Sequence, residues 1–261
     1  PSATEQFILE LINRARSDPA AEAARLGLPS LNDGLAGSPI SAAPKQPLAF
    51  STLLEDAANR HSQAMLDDDF FSHDGIDGST IGSRVTDAGY SWNGVGENIA
   101  WAGTTGSLPS DGLARTLQEN LFLSETGHRQ NMLNDSWREV GLGHLTGDFT
   151  TGGTTYNAGM LTQNFAYSGS AAFLTGVVFD DTGDEFYSIG EGRGGVSVTI
   201  GGSGTASWSE GGYVLGLGGS GMQEVTFSGG GLSGTKRLMA DTGSGNRNVK
   251  IDLMDGDTVR T

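Results

Sequence analysis

The chain has 261 residues and a mass of 27.0 kDa, with 31 acidic against 15 basic side chains, a formal net charge of −16 and no cysteine. A pI near 4.4 leaves no basic footprint for nucleic-acid phosphates or for docking by charge on anionic lipid. Without thiols there are no disulfides, thiolate zinc sites or cysteine nucleophiles, and no apolar run approaches the roughly 18 residues of a membrane span.

In chain order, the first helix signal covers residues 3–17, where Ser2 and Glu5 form a capping-box pattern and Phe7, Ile8, Leu11 and Ile12 keep helical spacing. Four prolines (Pro29, Pro39, Pro44, Pro47) mark residues 27–49 as a long loop. Thr52 with Glu55 reads as a second capping box. It opens a helix whose apolar face is Leu54, Ala57, Ala58, His61, Ala64 and Met65, running to about Asp67. Ser110 is placed to cap a third helix with Leu113, Leu117 and Leu121, ending before Gly127. Short strands are expected at Glu97–Trp101, Val140–Leu145 and Met160–Phe165. Helices followed by strands suggest an α+β layered domain.

Beyond Tyr167 the pattern changes. Leu174–Phe179, Val196–Ile200, Tyr213–Leu217, Glu224–Phe227 and Val249–Leu253 are short β-type runs between Gly/Ser/Asp turns, which predicts a β-sandwich. Nineteen of the 42 glycines lie in residues 1–168 and twenty-three in residues 169–261, about twice the density, whereas all four histidines lie in the first part. The expected organisation is therefore a chemistry-bearing domain at 1–168 and a glycine-rich all-β domain at 169–261.

His73, Glu97 and His128 are the candidates for chemistry. Imidazole and carboxylate serve a divalent metal or general acid–base work, since imidazole titrates near neutral pH. No His-x-x-x-His pair puts two ligands on one helix face, so spacing alone leaves solvated or capping roles as the default. His61 shares its helix face with Ala57, Ala58 and Met65 and reads as a packing residue. His144 reads as solvent-facing on a strand, and Asp67–Asp69 as a solvated helix end. Trp92, Trp101 and Trp137 read as core or cleft-rim residues, with a carbohydrate platform as the alternative. Ser62 and Ser72 adjoin histidines in sequence, which does not make a triad.

Several motifs occur together: His61-Ser62, Phe70-Phe-Ser-His73, Asp77-Gly-Ser-Thr80, Arg84, Ala88-Gly-Tyr90, Gly96-Glu-Asn-Ile-Ala100 and Gly127-His-Arg-Gln-Asn-Met-Leu-Asn134. With Leu11-Ile-Asn-Arg-Ala-Arg16, Val140-Gly-Leu-Gly143 and Gln163-Asn-Phe165, this series resembles the bacterial branch of the CAP superfamily over residues 4–167. That superfamily comprises the cysteine-rich secretory proteins, antigen 5 and the pathogenesis-related proteins. The resemblance implies an α-β-α sandwich with a shallow cleft of two histidines and two acids. His73 and His128 match the family histidines and Glu97 the acid of Gly-Glu-Asn. Glu119 stands at the interval of the fourth member, but Ser124-Glu-Thr-Gly-His128 carries one residue more than the bacterial Ser-Pro-Gly-His. Glu119, Glu125 or neither therefore completes the set.

Leu174 to Glu191 together with Gly194 to Ile200 resembles an SdrD-type B repeat and related collagen-adhesin B-like sandwiches, in which a strand enters an acidic loop that often holds calcium. Asp180, Asp181, Asp184, Glu185 and Glu191 would supply the hard oxygens calcium takes. The resemblances together imply a secreted bacterial protein whose cleft holds zinc or another divalent ion. Its activity would be hydrolysis of protein or cell-surface substrates; the alternatives are a non-enzymatic binder of lipid, glycan or protein, and a structural segment of a larger calcium-dependent adhesin. An opening at Pro1 without Met is what a processed or excised segment would show, and further modules of the same polypeptide are expected to follow.

Overall fold

The computed structural model describes residues 1–108 and 112–260; Ser110, the expected cap of the third helix, lies outside the described residues. The first elements are α1 (Ala3–Ser17), α2 (Pro19–Arg25), β1 (Ala49–Phe50), α3 (Thr52–Asp67), α4 (Ile81–Asp87), β2 (Gly94–Thr104), α5 (Leu113–Leu123), α6 (His128–Met132), β3 (Glu139–Thr151) and β4 (Thr154–Tyr167). β5 (Phe173–Phe179), β6 (Val196–Ile200), β7 (Ser203–Ala206), β8 (Gly212–Gly216), β9 (Met222–Gly229), β10 (Lys236–Asp241), β11 (Val249–Lys250), β12 (Asp252–Met254) and β13 (Thr258–Arg260) follow.

Local sequence explains most helix starts. Glu5 accepts from Ser2 N at 2.7 Å while Ser2 Oγ accepts from Glu5 N at 3.3 Å, the reciprocal capping box of α1. α2, not anticipated from its short apolar pattern, begins where Asp18 accepts from Ala21 N and Pro19 takes the first helical position. The box expected at Thr52 and Glu55 does not form. Ser51 N donates to Val140 O at 2.9 Å, which ends the extended backbone at Ser51 and makes Ser51 the N-cap, without a side-chain cap bond. α4 carries a capping box instead, between Thr80 and Ser83.

The chain divides into two compact units. One comprises Leu11–Lys45 and Ser51–Ser168; the other comprises Pro1–Glu10, Gln46–Phe50 and Gly169–Thr261. The division thus departs from a single cut at 168/169 by assigning two early segments to the later unit.

In the unit holding α3–α6, strands β3, β4 and β2 lie side by side and antiparallel, with β2 flanking β4. β4 is buried continuously from Ala158 to Ala166, as a central strand covered on both faces must be. Consecutive residues show the layers. Gln163 Nε2 reaches Gln118 on α5 at 2.5 Å, whereas Asn164 Nδ2 reaches Leu54 O on α3 at 3.3 Å. Neighbouring strand residues point to opposite faces, so α3 and α5 cover opposite sides of the sheet. α3 lies close because β3 presents Gly141 and Gly143 to it; a Cβ on either would overlap the backbone of Leu54–Glu55 or Ala58–Asn59. Two apolar clusters fill this layer. One gathers Leu54, Ala57, Val85, Tyr90 and Ala166; the other gathers Met65, Leu66, Ile99, Phe149, Ala158 and Met160.

In the other unit, one antiparallel sheet has the order β10-β9-β6-β7. The second runs β11-β5-β12-β13, with β8 antiparallel on β5. Both sheets contribute to one core: Leu174 and Val178 from β5, Val196, Val198 and Ile200 from β6, Tyr213 from β8, and Val225 and Phe227 from β9. The run expected at Val249–Leu253 is broken at Ile251, whose carbonyl accepts from Tyr213 Oη at 2.6 Å over Gly176, where a Cβ could not fit. The early segments are tied to this unit by charge, ring and hydrogen-bond contacts. Lys250 Nζ lies 2.9 Å from Glu10 Oε2 and also pairs with Asp252. Burial opposes the Lys250 charge, yet Asp252 and Glu10 together hold its pKa above the ordinary value. Phe7 meets Phe186 and Phe50 meets Trp208 edge-on, and Pro47 O accepts from Asn248 Nδ2 at 2.9 Å.

Candidate functional site at the edge of strand β2

β2 alternates its side chains between the two covered faces. Glu97 pairs in register with Asn164 and points to the α3 side; Asn98 pairs with Gln163 and points to the α5 side. The α3 face brings His73 and His61 to this strand, and the α5 face brings His128.

On the α3 side, Glu97 is buried, with 2 % of its side chain exposed. Its Oε1 lies 2.8 Å from His73 Nδ1 and its Oε2 accepts from Arg84 Nη2 at 2.6 Å. Arg84 also donates to His73 O at 3.0 Å and to Ser79 O at 3.1 Å, so one guanidinium fixes both ends of the His73–Ser79 loop. Within that loop Asp77 accepts from Ser79 N, and Gly75 N donates to Ser79 O. His61 stands beneath, with Nε2 3.0 Å from Ser72 O and 4.0 Å from Glu97 Oε1, and its ring edge-on to Phe70.

The environments move the imidazoles apart. The hydrogen bond to Glu97 raises the pKa of His73, whose side chain is 56 % exposed. Burial lowers His61, outweighing the attraction of Glu97. Burial, with the nearby charge of His73, lowers His128.

On the α5 side, Gly127 adopts φ +94° to turn the chain into α6, and His128 follows at the first helical position. Its Nδ1 lies 2.9 Å from Ser124 Oγ and 3.3 Å from Thr126 Oγ1. Ser124 Oγ also accepts from Thr126 N, so this serine is a turn-former that orients the ring. Asn98 Nδ2 donates to His128 O at 3.2 Å and Asn131 Nδ2 donates to Asn98 Oδ1 at 2.9 Å. Gly96 permits this packing, since a Cβ there would strike Asn131 and Trp137. Arg129, fully buried, donates to Phe122 O, Leu31 O, Asp33 O and Leu123 O, tying α6 to the preceding helix and to the 31–33 turn.

Glu119 lies in a different charge network. It accepts from Arg25 at 2.8 Å, Arg115 is 3.8 Å away, and Arg25 also binds Glu22. Glu125 is exposed and its carboxylate covers Gly34. His144 is half-buried rather than solvent-facing, because its face of β3 is covered by the α5 side of the domain, where Leu113 and His144 both border Gly159. Trp137 is buried, Trp101 packs on Phe149 at 4.8 Å, and Trp92 is 42 % exposed. Arg84 and His61 are the site residues that spacing does not single out: an arginine on a short helix looks solvated, and a histidine on an apolar face looks like packing.

The donor set does not fit a divalent ion as it stands, because both oxygens of Glu97 are engaged by His73 and Arg84. Among the described residues no group of three or more His, Asp or Glu is placed to hold a metal ion. The acidic loop of the other unit is committed in the same way. Glu191, 7 % exposed, accepts from Thr182 N, Thr182 Oγ1 and Ser188 N, and Asp180 pairs with Arg193. Asp181 accepts from Glu185 N and Asp184 from Phe186 N. These carboxylates hold their own loop, and none converges with the others as calcium ligands do.

The fold is thus a helix–sheet–helix domain with two histidines and a buried glutamate at its edge strand. The profile of the CAP, or cysteine-rich secretory protein, family matches residues 9–165, and the chain belongs to that family. A solved extracellular protein containing an SCP domain, from Bacillus anthracis, is 27 % identical; the match covers 63 % of this chain and 40 % of that one, with a TM-score of 0.39. An outer surface protein of Borrelia burgdorferi is 14 % identical over 62 % of this chain and 91 % of its own, also with a TM-score of 0.39. No curated protein sequence matches the chain.

Proposed function

We propose that the chain is an extracellular ligand-binding CAP protein. Its cleft works through the His73 imidazole as a hydrogen-bonding and acid–base group, not as a metal ligand. The observation that carries this reading is the bridging of His73 and Arg84 by the two oxygens of Glu97. A buried, neutralised carboxylate on Nδ1 fixes the ring and favours its protonated form, while Nε2 has no partner among the described residues. His128, held neutral beside it, supplies a second imidazole. Such a pair suits an acceptor-bearing group, a carboxylate or carbonyl, on a peptide, glycan or lipid outside the cell. No serine, threonine or cysteine is hydrogen-bonded to His73 among the described residues, and the hydroxyls on His128, those of Ser124 and Thr126, are engaged with each other in the turn.

An extracellular location is supported by the description of the Bacillus anthracis relative and by the acidic, cysteine-free composition. No helix among the described residues is long and apolar enough to cross a membrane.

Acetate, as a carboxylate probe, tests the reading. It should shift the His73 Cε1 resonance saturably below the ordinary imidazole value of about 6.5 and lose that effect well above it. Zinc alone binding at submicromolar concentration, with loss in His73→Ala, would overturn it. Turnover of a peptide or ester library that is abolished in the same variant would convert the reading to a hydrolase.

A further inference from the structure

We propose that the open edge of β2 takes an extended polypeptide segment as an added strand, so that the ligand of the cleft between His73 and His128 is a peptide rather than a lipid or glycan. The inference rests on the reading of that cleft as a ligand site and narrows its ligand class.

β2 is the outer strand of its sheet, eleven residues long, and pairs with β4 alone. In an antiparallel ladder, alternate residues turn their N–H and C=O groups away from the partner strand. Along Gly94–Thr104, nothing among the described residues hydrogen-bonds to those outward backbone groups. Apart from Asn98 and Ile99, every residue of β2 keeps some solvent exposure, whereas β4 beside it is buried from Ala158 to Ala166. Such a row is a template for another strand, and proteins ordinarily blunt it with short length, lysine or proline. β2 has none of these. It contains no Lys, Arg or Pro, and its one charge, Glu97, is turned inward and neutralised by Arg84. The other sheet edges are shorter: β1 has two residues, β7 four and β13 three, and β10 carries Lys236 and Arg237.

Two observations select the occupant. The first is the edge itself, whose donors and acceptors recur at the strand repeat and are matched by a second main chain, not by a lipid or a glycan. The second is what flanks it. At Glu97 the His73 loop is fastened over one face of the strand. At Asn98, the next residue, the start of α6 is fastened over the other face through the His128 carbonyl. A second copy of the sheet would bring its own covering helices against these elements, whereas one extended segment passes between them. The edge therefore runs between two imidazoles at neighbouring register positions, where an acceptor on the added segment is met by the His73 Nε–H.

The test titrates the full chain with acetyl-Thr-Val-Asp-Val-Thr-Val-amide and two counterparts, one N-methylated at the threonines and aspartate, the other at the valines. Amide hydrogen exchange along β2 and the His73 Cε1 resonance are the readouts. Alternate β2 amides that exchange freely in the chain alone should become protected as peptide is added, and His73 should shift with the same saturation. Because only one edge of the peptide faces β2, one methylated counterpart should bind like the parent and the other at least about tenfold more weakly. Equal binding of both counterparts would overturn the proposal, as would β2 amides left unprotected by the peptide. Protection in the chain alone that grows with protein concentration would also overturn it, by making a second copy the occupant. In each of these cases a His73 response to acetate leaves the ligand-site reading standing, whereas silence toward acetate removes both.

Discussion

Arg84 neutralises Glu97 from the side opposite His73, its Nη2 lying 2.6 Å from Glu97 Oε2 while His73 Nδ1 lies 2.8 Å from Oε1. The carboxylate thus transmits no net charge to the cleft, yet sets both the orientation and the protonation of the imidazole. Glu97→Gln keeps the shape and removes the charge. The His73 pKa should then fall below its ordinary value, because the bond that raises it is weakened and Arg84 continues to oppose protonation. Stability should drop by about 3–5 kcal/mol, the cost of leaving a buried partner charge uncompensated. Histidine NMR titration and urea unfolding check the two halves separately.

The three site histidines give stability a defined dependence on pH. The folded value of His73 is raised, so its contribution is complete below about pH 6.5 and is lost as pH rises through that raised value. His61 and His128 are lowered, so theirs are complete above about pH 6.5 and are lost as pH falls through the lowered values. Unfolding free energy measured across the neutral range should therefore decline on both sides. His128→Gln should flatten the acid limb and His73→Gln the alkaline one; an alkaline limb unchanged in His73→Gln would contradict the assignment.

Helix α3 rests on glycines. Gly141→Ala and Gly143→Ala each place a methyl into helix backbone, and each should cost at least about 1–3 kcal/mol as the layers separate. Gly147→Ala, on the same strand, would meet only Leu66 Cδ1 at an ordinary 3.4 Å and should be nearly neutral. Thermal unfolding of the three variants distinguishes a close-approach requirement from a general intolerance of alanine on β3.

Glu10 and Lys250 should behave as a coupled pair. Burial raises the Glu10 pKa while Lys250 pulls it down, so removing the lysine leaves Glu10 and Asp252 facing each other. Lys250→Met should cost about 3–5 kcal/mol, and Glu10→Gln in the Lys250→Met background should cost far less than Glu10→Gln alone. Additive effects in a double-mutant cycle would show the contact to be incidental.

Glu191 should matter more than calcium to the 180–191 loop. Glu191→Gln weakens three charge-assisted bonds to Thr182 and Ser188 and should destabilise its unit by about 1.5–3 kcal/mol. Melting in calcium and in chelator should coincide. A calcium-dependent rise in Tm, lost in Asp181→Asn, would reinstate the loop as an ion site.

Strands with apolar alternation are readable as sequence: Val196–Ile200 is β6 to the residue, and β2, β3 and β4 extend their expected cores at both ends. β7 and β10 are not readable, because Ser203–Ala206 is small and polar and Lys236–Asp241 buries only Ala240. Motif order brings His73 and Glu97 to attention, and they do meet. The part of the site that spacing hides is the long-range part. Arg84 matters because three acceptors from the loop and from β2 converge on it, and no local pattern encodes convergence. For the same reason Glu119 sits at a plausible interval yet turns to Arg25, which its own helix does not announce.

The union of Pro1–Glu10 with Gly169–Thr261 also has a consequence for biosynthesis. Glu10 emerges from the ribosome long before Lys250 and must wait for it before its charge is met. The first turns of α1 therefore stay without their final partners until residues 169–254 are made, a high-contact-order closure that delays completion of this unit. A chain released early, short of β11, would leave those turns as an exposed handle for chaperones and proteases.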